Sequence, residues 1–343
     1  MLDRRQFLSR TAGGVGVALA TTRPLWAQLA NMPAKLPDPA QFSNDQGAYW
    51  TEIRMETGSF LSAADSALGP EIRVISWNIN RGEQLDGVIE FLRPTPADLI
   101  LLQETDVNAR RTKNRNIARE IAQALRMDYV FGCEFEELTQ GDHNSPAYHG
   151  QATLSRQPLL ESRILRFQRQ SDFWRPRWYI PMIPGLQRRL GARMALVSHI
   201  SWLETQLVLY NVHLESRGND ALRCSQLAEI IQDAQRYEST VPIIVAGDFN
   251  FDLSQPPAAR LLAGSPFDSP LQNGTVRPTT TRSRLGSART IDWILTRGPL
   301  TSLGAELHDS VSASDHYPMS LTLVSKPGCG WLLRASVFEQ DCR

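Results

Sequence analysis

Six short apolar runs, each bordered by polar residues able to bind or react, limit what this chain can fold into. They are Ile72-Arg-Val-Ile-Ser76, Ala97-Asp-Leu-Ile-Leu-Leu102, Gln206-Leu-Val-Leu-Tyr210, Val241-Pro-Ile-Ile-Val-Ala246, Thr290-Ile-Asp-Trp-Ile-Leu295 and Met319-Ser-Leu-Thr-Leu-Val324. Each has the length of a β-strand. Several are apolar at consecutive rather than alternate positions, the pattern of strands covered on both faces. Helical periodicity falls between them. The clearest stretch is 219–237, where Leu222, Leu227, Ile230, Ile231 and Ala234 lie near one face and Asn219 or Asp220 can cap the start. A weaker one covers 116–125. No internal repeat is visible. The spacing predicts one α/β domain over 71–325, built of mixed sheets with outer helices.

The segments outside that domain read differently. Arg4-Arg5-Gln6-Phe7-Leu8 precedes a short Gly- and Ala-rich apolar stretch over 11–20. A charged start, a short apolar run and a small-residue exit form an export signal, and this one is too short to span a bilayer. The arginine pair resembles the twin-arginine signal, although Asp3 stands where Ser or Thr is usual. Residues 1–30 are therefore expected to engage the twin-arginine export machinery, with cleavage after Ala27 or Ala30. The destination would be the periplasm or the outside of a bacterial cell. A basic amphipathic helix is the other reading. Residues 31–70 read as a linker and lead-in, and 326–343 as a tail. None of the four cysteines stands in a C-x-x-C spacing. Cys329 and Cys342 are close enough to staple the tail; free buried thiols are the alternative. The 343 residues carry a formal net charge of zero, so no global field draws the chain to nucleic acid or membrane. No obligate protein partner is expected.

The candidate chemistry sits at the strand ends. Trp77-Asn78-Ile79-Asn80 follows the first run, and Gln103-Glu104-Thr105 the second. Asn211-Val-His213 and Gly247-Asp248-Phe249-Asn250 follow the third and fourth. Asp292 lies in the fifth, and Ser314-Asp315-His316 precedes the last. Polar groups placed so can converge on one pocket while the strands stay apolar. A carboxylate such as Glu104, with Asn oxygens and another carboxylate, makes an all-oxygen site suited to Mg²⁺ or Mn²⁺ rather than zinc. His213 and His316 can direct donors at phosphate oxygens or pass a proton, and Asp248 can orient and deprotonate a water. Each piece alone has a plain structural reading as a turn, a cap or a buried hydrogen bond. Six in order are hard to explain as caps.

Together with Gly150-Gln-Ala-Thr-Leu-Ser-Arg156, this ordered set resembles the endonuclease/exonuclease/phosphatase (DNase-I-like) superfamily over roughly 72–324. The resemblance implies a four-layer α/β/β/α sandwich of two mixed sheets with outer helices. It implies that Glu104 is the main metal ligand, completed by Asn78 and Asn80, with Asp315 a second metal-side carboxylate. It further implies that Asp248 activates water, Asn250 holds phosphate, Asp292 orients His316, and His213 is a general acid or phosphate donor. Many nucleases of the family carry Asp at the position of Asn80, which bears on metal affinity and number. Arg223 and Gln226 match a family spacing and also read as a solvated helix face.

Substrate choice is expected elsewhere. The proline-rich segment 171–185 carries Trp174, Arg177 and Trp178, which with Asn211 are the candidate substrate-binding residues. Aromatic and basic side chains suit stacked bases, a lipid headgroup or simple cover for the core edge. The expected activity is a metal-dependent phosphoesterase, with a secreted nuclease the first form to test. A sphingomyelinase-like phospholipid phosphodiesterase is the alternative within the class. A non-catalytic secreted binding protein on the same scaffold is the alternative outside it.

Overall fold

The computed structural model of the chain describes residues 55–62, 68–142, 144–171, 173, 186, 188–203, 205–270, 277–281 and 286–326. The strands in chain order begin with β1 (Met55–Ser59), β2 (Glu71–Arg81), β3 (Leu99–Val107), β4 (Asp128–Glu137) and β5 (Tyr148–Ser155). Next come β6 (Leu159–Arg166), β7 (Arg189–Gly191), β8 (Met194–Trp202) and β9 (Thr205–His213). The last are β10 (Ile243–Asp248), β11 (Asp292–Arg297), β12 (Leu300–Leu307) and β13 (Met319–Ser325). The α-helices are α1 (Leu85–Leu92), α2 (Ile117–Leu125), α3 (Asp220–Ala234) and α4 (Ala258–Ala263).

Two mixed sheets result. One runs β1-β4-β5-β3-β2-β13-β12, with β7 added on β4; the other runs β11-β10-β9-β8-β6. Each of the six apolar runs lies wholly or mostly in a strand, and β2–β3 and β9–β10 are parallel pairs. Consecutive apolar residues serve two different layers. Ile75, Trp77, Ile100 and Leu102 pack with α1 and α2, while Ile72, Val74, Leu99 and Leu101 face Leu207, Leu209, Ile244 and Ile294 of the other sheet. Val208, Tyr210, Ile243 and Val245 pack against α3 and α4. The architecture is the expected α/β/β/α sandwich.

The two helices read from the sequence are present, and Asn caps open both. Asn116 Oδ1 accepts from Arg119 N and Asn219 Oδ1 from Leu222 N, each at 3.0 Å. The domain starts earlier than residue 71. Met55–Ser59, expected within the linker, pairs antiparallel with β4, and Asn116 Nδ2 donates to both Glu56 oxygens at 2.7 and 2.9 Å. Its short alternating sequence gives no apolar run to detect. No helix among the described residues is long and apolar enough to cross a membrane. Residues 1–54 and 327–343, hence the signal, Cys329 and Cys342, lie outside the described residues.

Candidate active site

At one end of the layer between the sheets, the apolar side chains give way to polar ones. Strand β2 brings Asn78 there, β3 Glu104, β9 His213, β10 Asp248 and β11 Asp292, and the turn before β13 adds His316. Their focus is Asp248 Oδ2. Asn78 Nδ2 donates to it at 3.1 Å, and the Nε2 atoms of His213 and His316 lie 3.6 and 3.8 Å away. The same Asn78 amide is 3.4 Å from Glu104 Oε1, so one side chain spans both carboxylates. Asp248 Oδ1 accepts from Asn250 N at 2.8 Å, while Asn250 Nδ2 donates to Leu214 O at 3.1 Å. His316 Nδ1 lies 3.0 and 2.9 Å from the two Asp292 oxygens, and Thr279 Oγ1 donates to Asp292 Oδ2 at 2.6 Å. Ser314 Oγ donates to Asn78 O at 2.7 Å and Trp77 Nε1 to His316 O at 2.9 Å, which fastens the 314–316 turn to β2.

The backbone departs from regular strand where these side chains must point inward. Pairing of β2 with β3 shifts register between Asn78 and Arg81, and that of β3 with β5 between Leu102 and Thr105. Asn80, Glu104 and Asn250 adopt positive φ of 45°, 53° and 58°. An extra residue in a ladder re-aims its neighbours, and left-handed backbone at a non-glycine residue stores strain of about 1 kcal/mol or more. Part of this strain falls at the residues singled out for chemistry; Asn108, Lys113, Asn114, Arg126 and Leu203 carry the same backbone elsewhere.

Charge is sorted across the cluster. Burial pushes the Asp248 carboxyl up to about 6, with Asp292 adding to the rise and His316 opposing it. Burial works against a charged His316, but Asp292, with Asp248 and Asp315 behind it, raises that imidazole to about 10. His213 goes the other way: burial first, then the Arg193 guanidinium, hold it well below its ordinary value. Burial also works against ionisation of Glu104, yet His149, Arg81, His316 and Arg193 nearby outweigh it and lower its pKa.

Several expected residues are placed elsewhere in the network. Asn211 does not line the pocket as a substrate contact. Its Nδ2 donates to Leu102 O at 3.0 Å and Ala152 O at 2.8 Å, and its Oδ1 accepts from Gln103 Nε2 at 2.8 Å. It is a strut between the sheets. Asn211→Ala would remove three interior hydrogen bonds and is expected to cost about 2–4 kcal/mol in a urea unfolding curve; an unchanged midpoint would refute the strut. Asn78 presents its amide nitrogen to the carboxylates, because its Oδ1 accepts from Asn80 N at 3.0 Å. Asn80 Oδ1 in turn accepts from Arg81 Nη1 at 3.0 Å. Asp315 is exposed beside His316. Arg223 and Gln226 are buried, not a solvated helix face. Arg223 Nε donates to Glu215 O at 2.7 Å and Gln226 Oε1 accepts from Glu215 N at 2.9 Å, bracing the chain that leaves His213. Trp174, Arg177 and Trp178 lie outside the described residues.

Two residues near the pocket escaped the sequence reading. Thr279 anchors Asp292. Glu134 is fully buried, with Oε2 3.1 Å from Arg193 Nη1 and 3.6 Å from His213 Nδ1. The available signal was a charged residue between Cys133 and Phe135 in an otherwise strand-like segment. Burial raises the Glu134 pKa to about 7, with Arg193 and the Gln151 amide opposing the rise.

A divalent cation finds suitable donors here. Glu104 is a partly exposed carboxylate whose pKa is lowered, so it offers an anionic oxygen of the kind a divalent cation takes. Ligand atoms of Asp248, Asp292 and His316 also lie within 4.8 Å of one another. Asp292 and His316 already satisfy each other, so that trio suits proton handling better than a metal cage.

The pattern of the Endonuclease/Exonuclease/phosphatase family matches residues 75–316, and the chain belongs to that family. Members of the family are hydrolases acting on phosphoester bonds. Solved structures share the fold. An endonuclease/exonuclease/phosphatase from Beutenbergia cavernae is 16% identical, with 75% of this chain and 72% of that one covered and a TM-score of 0.55. The human Nocturnin catalytic domain is 17% identical, with 80% and 97% covered and a TM-score of 0.54. A humanized D. rerio TDP2 is 19% identical, with 75% and 100% covered and a TM-score of 0.51. No curated protein matches the chain in sequence.

Proposed function

We propose that the chain is a divalent-metal-dependent phosphoesterase that hydrolyses a phosphate ester by attack of water, with nucleic-acid phosphodiesters the first substrates to test. One observation carries this reading: two imidazole Nε2 atoms and an amide face a single carboxylate oxygen, with Glu104 alongside. Gaps of 3.6 and 3.8 Å leave room for an oxygen of water or substrate to bridge the groups. A cation bound beside Glu104 would neutralise charge on the phosphate. Asp248 takes a proton from the attacking water. His316, kept charged by Asp292, gives a proton to the leaving oxygen. His213 is held neutral, so its part is to position rather than to protonate; this moves the general-acid role from His213 to His316. Export through the N-terminal signal belongs to the same proposal, and it rests on the arginine pair, the short apolar run and the small-residue exit of residues 1–30.

The test is release of nitrophenol from bis-p-nitrophenyl phosphate. Turnover is expected with Mg²⁺ or Mn²⁺ and its loss with EDTA. Absence of turnover with every metal would favour a binding protein on this scaffold. The pH profile follows from the charges described. The rate should climb as pH rises through about 6, where Asp248 ionises, and fall near 10, where His316 loses its proton. A rate that is flat between pH values of about 5 and 8 would remove Asp248 from its role.

A further inference from the structure

Arg289 is a cation beside the reacting groups that the mechanism above leaves unused. Its side chain is exposed. Its Nη2 donates to Asn250 O at 2.9 Å, and Asn250 N donates to Asp248 Oδ1 at 2.8 Å, so the guanidinium lies one residue's backbone away from the central carboxylate. The main chain of Arg289 is fixed as well. Its N donates to Thr280 Oγ1 at 2.8 Å, and its O accepts from Thr279 N and Thr280 N at 2.8 and 3.1 Å. Thr279 O accepts in turn from Tyr317 N at 2.8 Å, and Thr281 N donates to Asp315 O at 2.8 Å. The residue is therefore tied on one side to the turn that carries Asp248 and on the other to the turn that carries His316.

The charge held there is uncompensated. Arg81 and Arg193, the arginines beside Glu104, each pair with a carboxylate at 3.1 Å. Arg289 forms no ion pair with any carboxylate among the described residues. The acids on the elements around it are Asp248 and Asp292, which face His316, and Asp315, which is exposed on the neighbouring turn. One N–H of the guanidinium is used on Asn250 O, and its other donors have no acceptor among the described residues. A planar fork of donors with a fixed stem and no counter-charge is suited to phosphate oxygens. An ester with a single phosphate, held between Asp248 and His316, brings no second anion to it. The next phosphate along a nucleotide chain does. We infer that Arg289 binds the phosphate neighbouring the scissile one, so that the site selects oligonucleotides over esters with one phosphate. This rests on the phosphoesterase reading and names its substrate class. A role confined to holding the Asn250 carbonyl would affect every substrate alike.

The experiment compares thymidylyl-thymidine, which has one phosphate, with its 5′-phosphorylated and 3′-phosphorylated forms, which add a second on either side. Binding to the full chain is measured by calorimetry with Ca²⁺ as the oxygen-seeking cation. The wild type is expected to bind one of the phosphorylated forms about tenfold more tightly, the worth of one charge-assisted hydrogen bond. Arg289→Gln should lose most of that ratio, and Arg289→Lys, which keeps the charge without the fork, should retain part of it. The ratio is the readout because loss of the Asn250 contact alone weakens all of these ligands equally. Salt screens an exposed ion pair, so the wild-type ratio should also shrink between about 0.05 and 0.5 M NaCl, whatever the fate of the variants. Equal affinities in the wild type, a ratio that salt leaves unchanged, or the wild-type ratio in Arg289→Gln would each overturn the inference. Turnover of bis-p-nitrophenyl phosphate by the wild type separates the two levels. Turnover without the preference sinks only this inference; its absence sinks the phosphoesterase reading, while the binding ratio still decides on Arg289.

Discussion

Asp248→Asn is expected to lower kcat about a thousandfold while leaving the fold in place. The substitution conserves shape, and an amide oxygen can still accept from Asn250 N, now 2.8 Å from Oδ1. What is lost is the charge at Oδ2, the atom that His213, His316 and Asn78 all face. The new amide group would also meet the Asn78 amide nitrogen donor to donor. An equal thermal midpoint with lost turnover, measured on bis-p-nitrophenyl phosphate, is the expected pair of results. Turnover within threefold of wild type, roughly 0.7 kcal/mol of barrier, would show that water is activated elsewhere.

Gly247→Ala is expected to destabilise the fold by about 3–5 kcal/mol and to abolish activity with it. Gly247 has φ of +149°, and a Cβ placed there would stand 2.0 Å from Val212 O of the neighbouring strand. The atoms it would meet are all Val212 backbone, which has no flexible end to yield. Relief requires β9 and β10 to part, and those strands carry His213 and Asp248. A urea midpoint within about 1 kcal/mol of wild type would mean that the strands are free to slide there.

How legible these features were depended on which residues carried them. Strands such as β3 and β10 announce themselves because both faces are buried and apolar. The edge strands do not. β12 exposes Thr301 to Glu306 on both faces, and β1 alternates exposed and half-buried residues, so neither shows an apolar run. β4 was hidden for the opposite reason: Glu134 and Glu137 are buried charges that break its pattern. At the site, Asn78, Glu104, Asp248, Asp292 and His316 could be named because each ends or borders a legible strand. Asn211 had the same appearance and a different duty, since spacing cannot tell a strut between sheets from a group facing the pocket. Glu134 and Thr279 act through neighbours distant in sequence, and only the folded chain brings them there.

The reacting groups are divided between the two sheets, with Asn78 and Glu104 on one and His213, Asp248 and Asp292 on the other. The cluster therefore works as a caliper across the sandwich. Any slackening of the apolar filling between Leu101 and Leu209, in the same layer, is expected to open the jaws before it unfolds the protein. Catalytic alignment should then be the most sensitive gauge of how tightly the two halves are clamped.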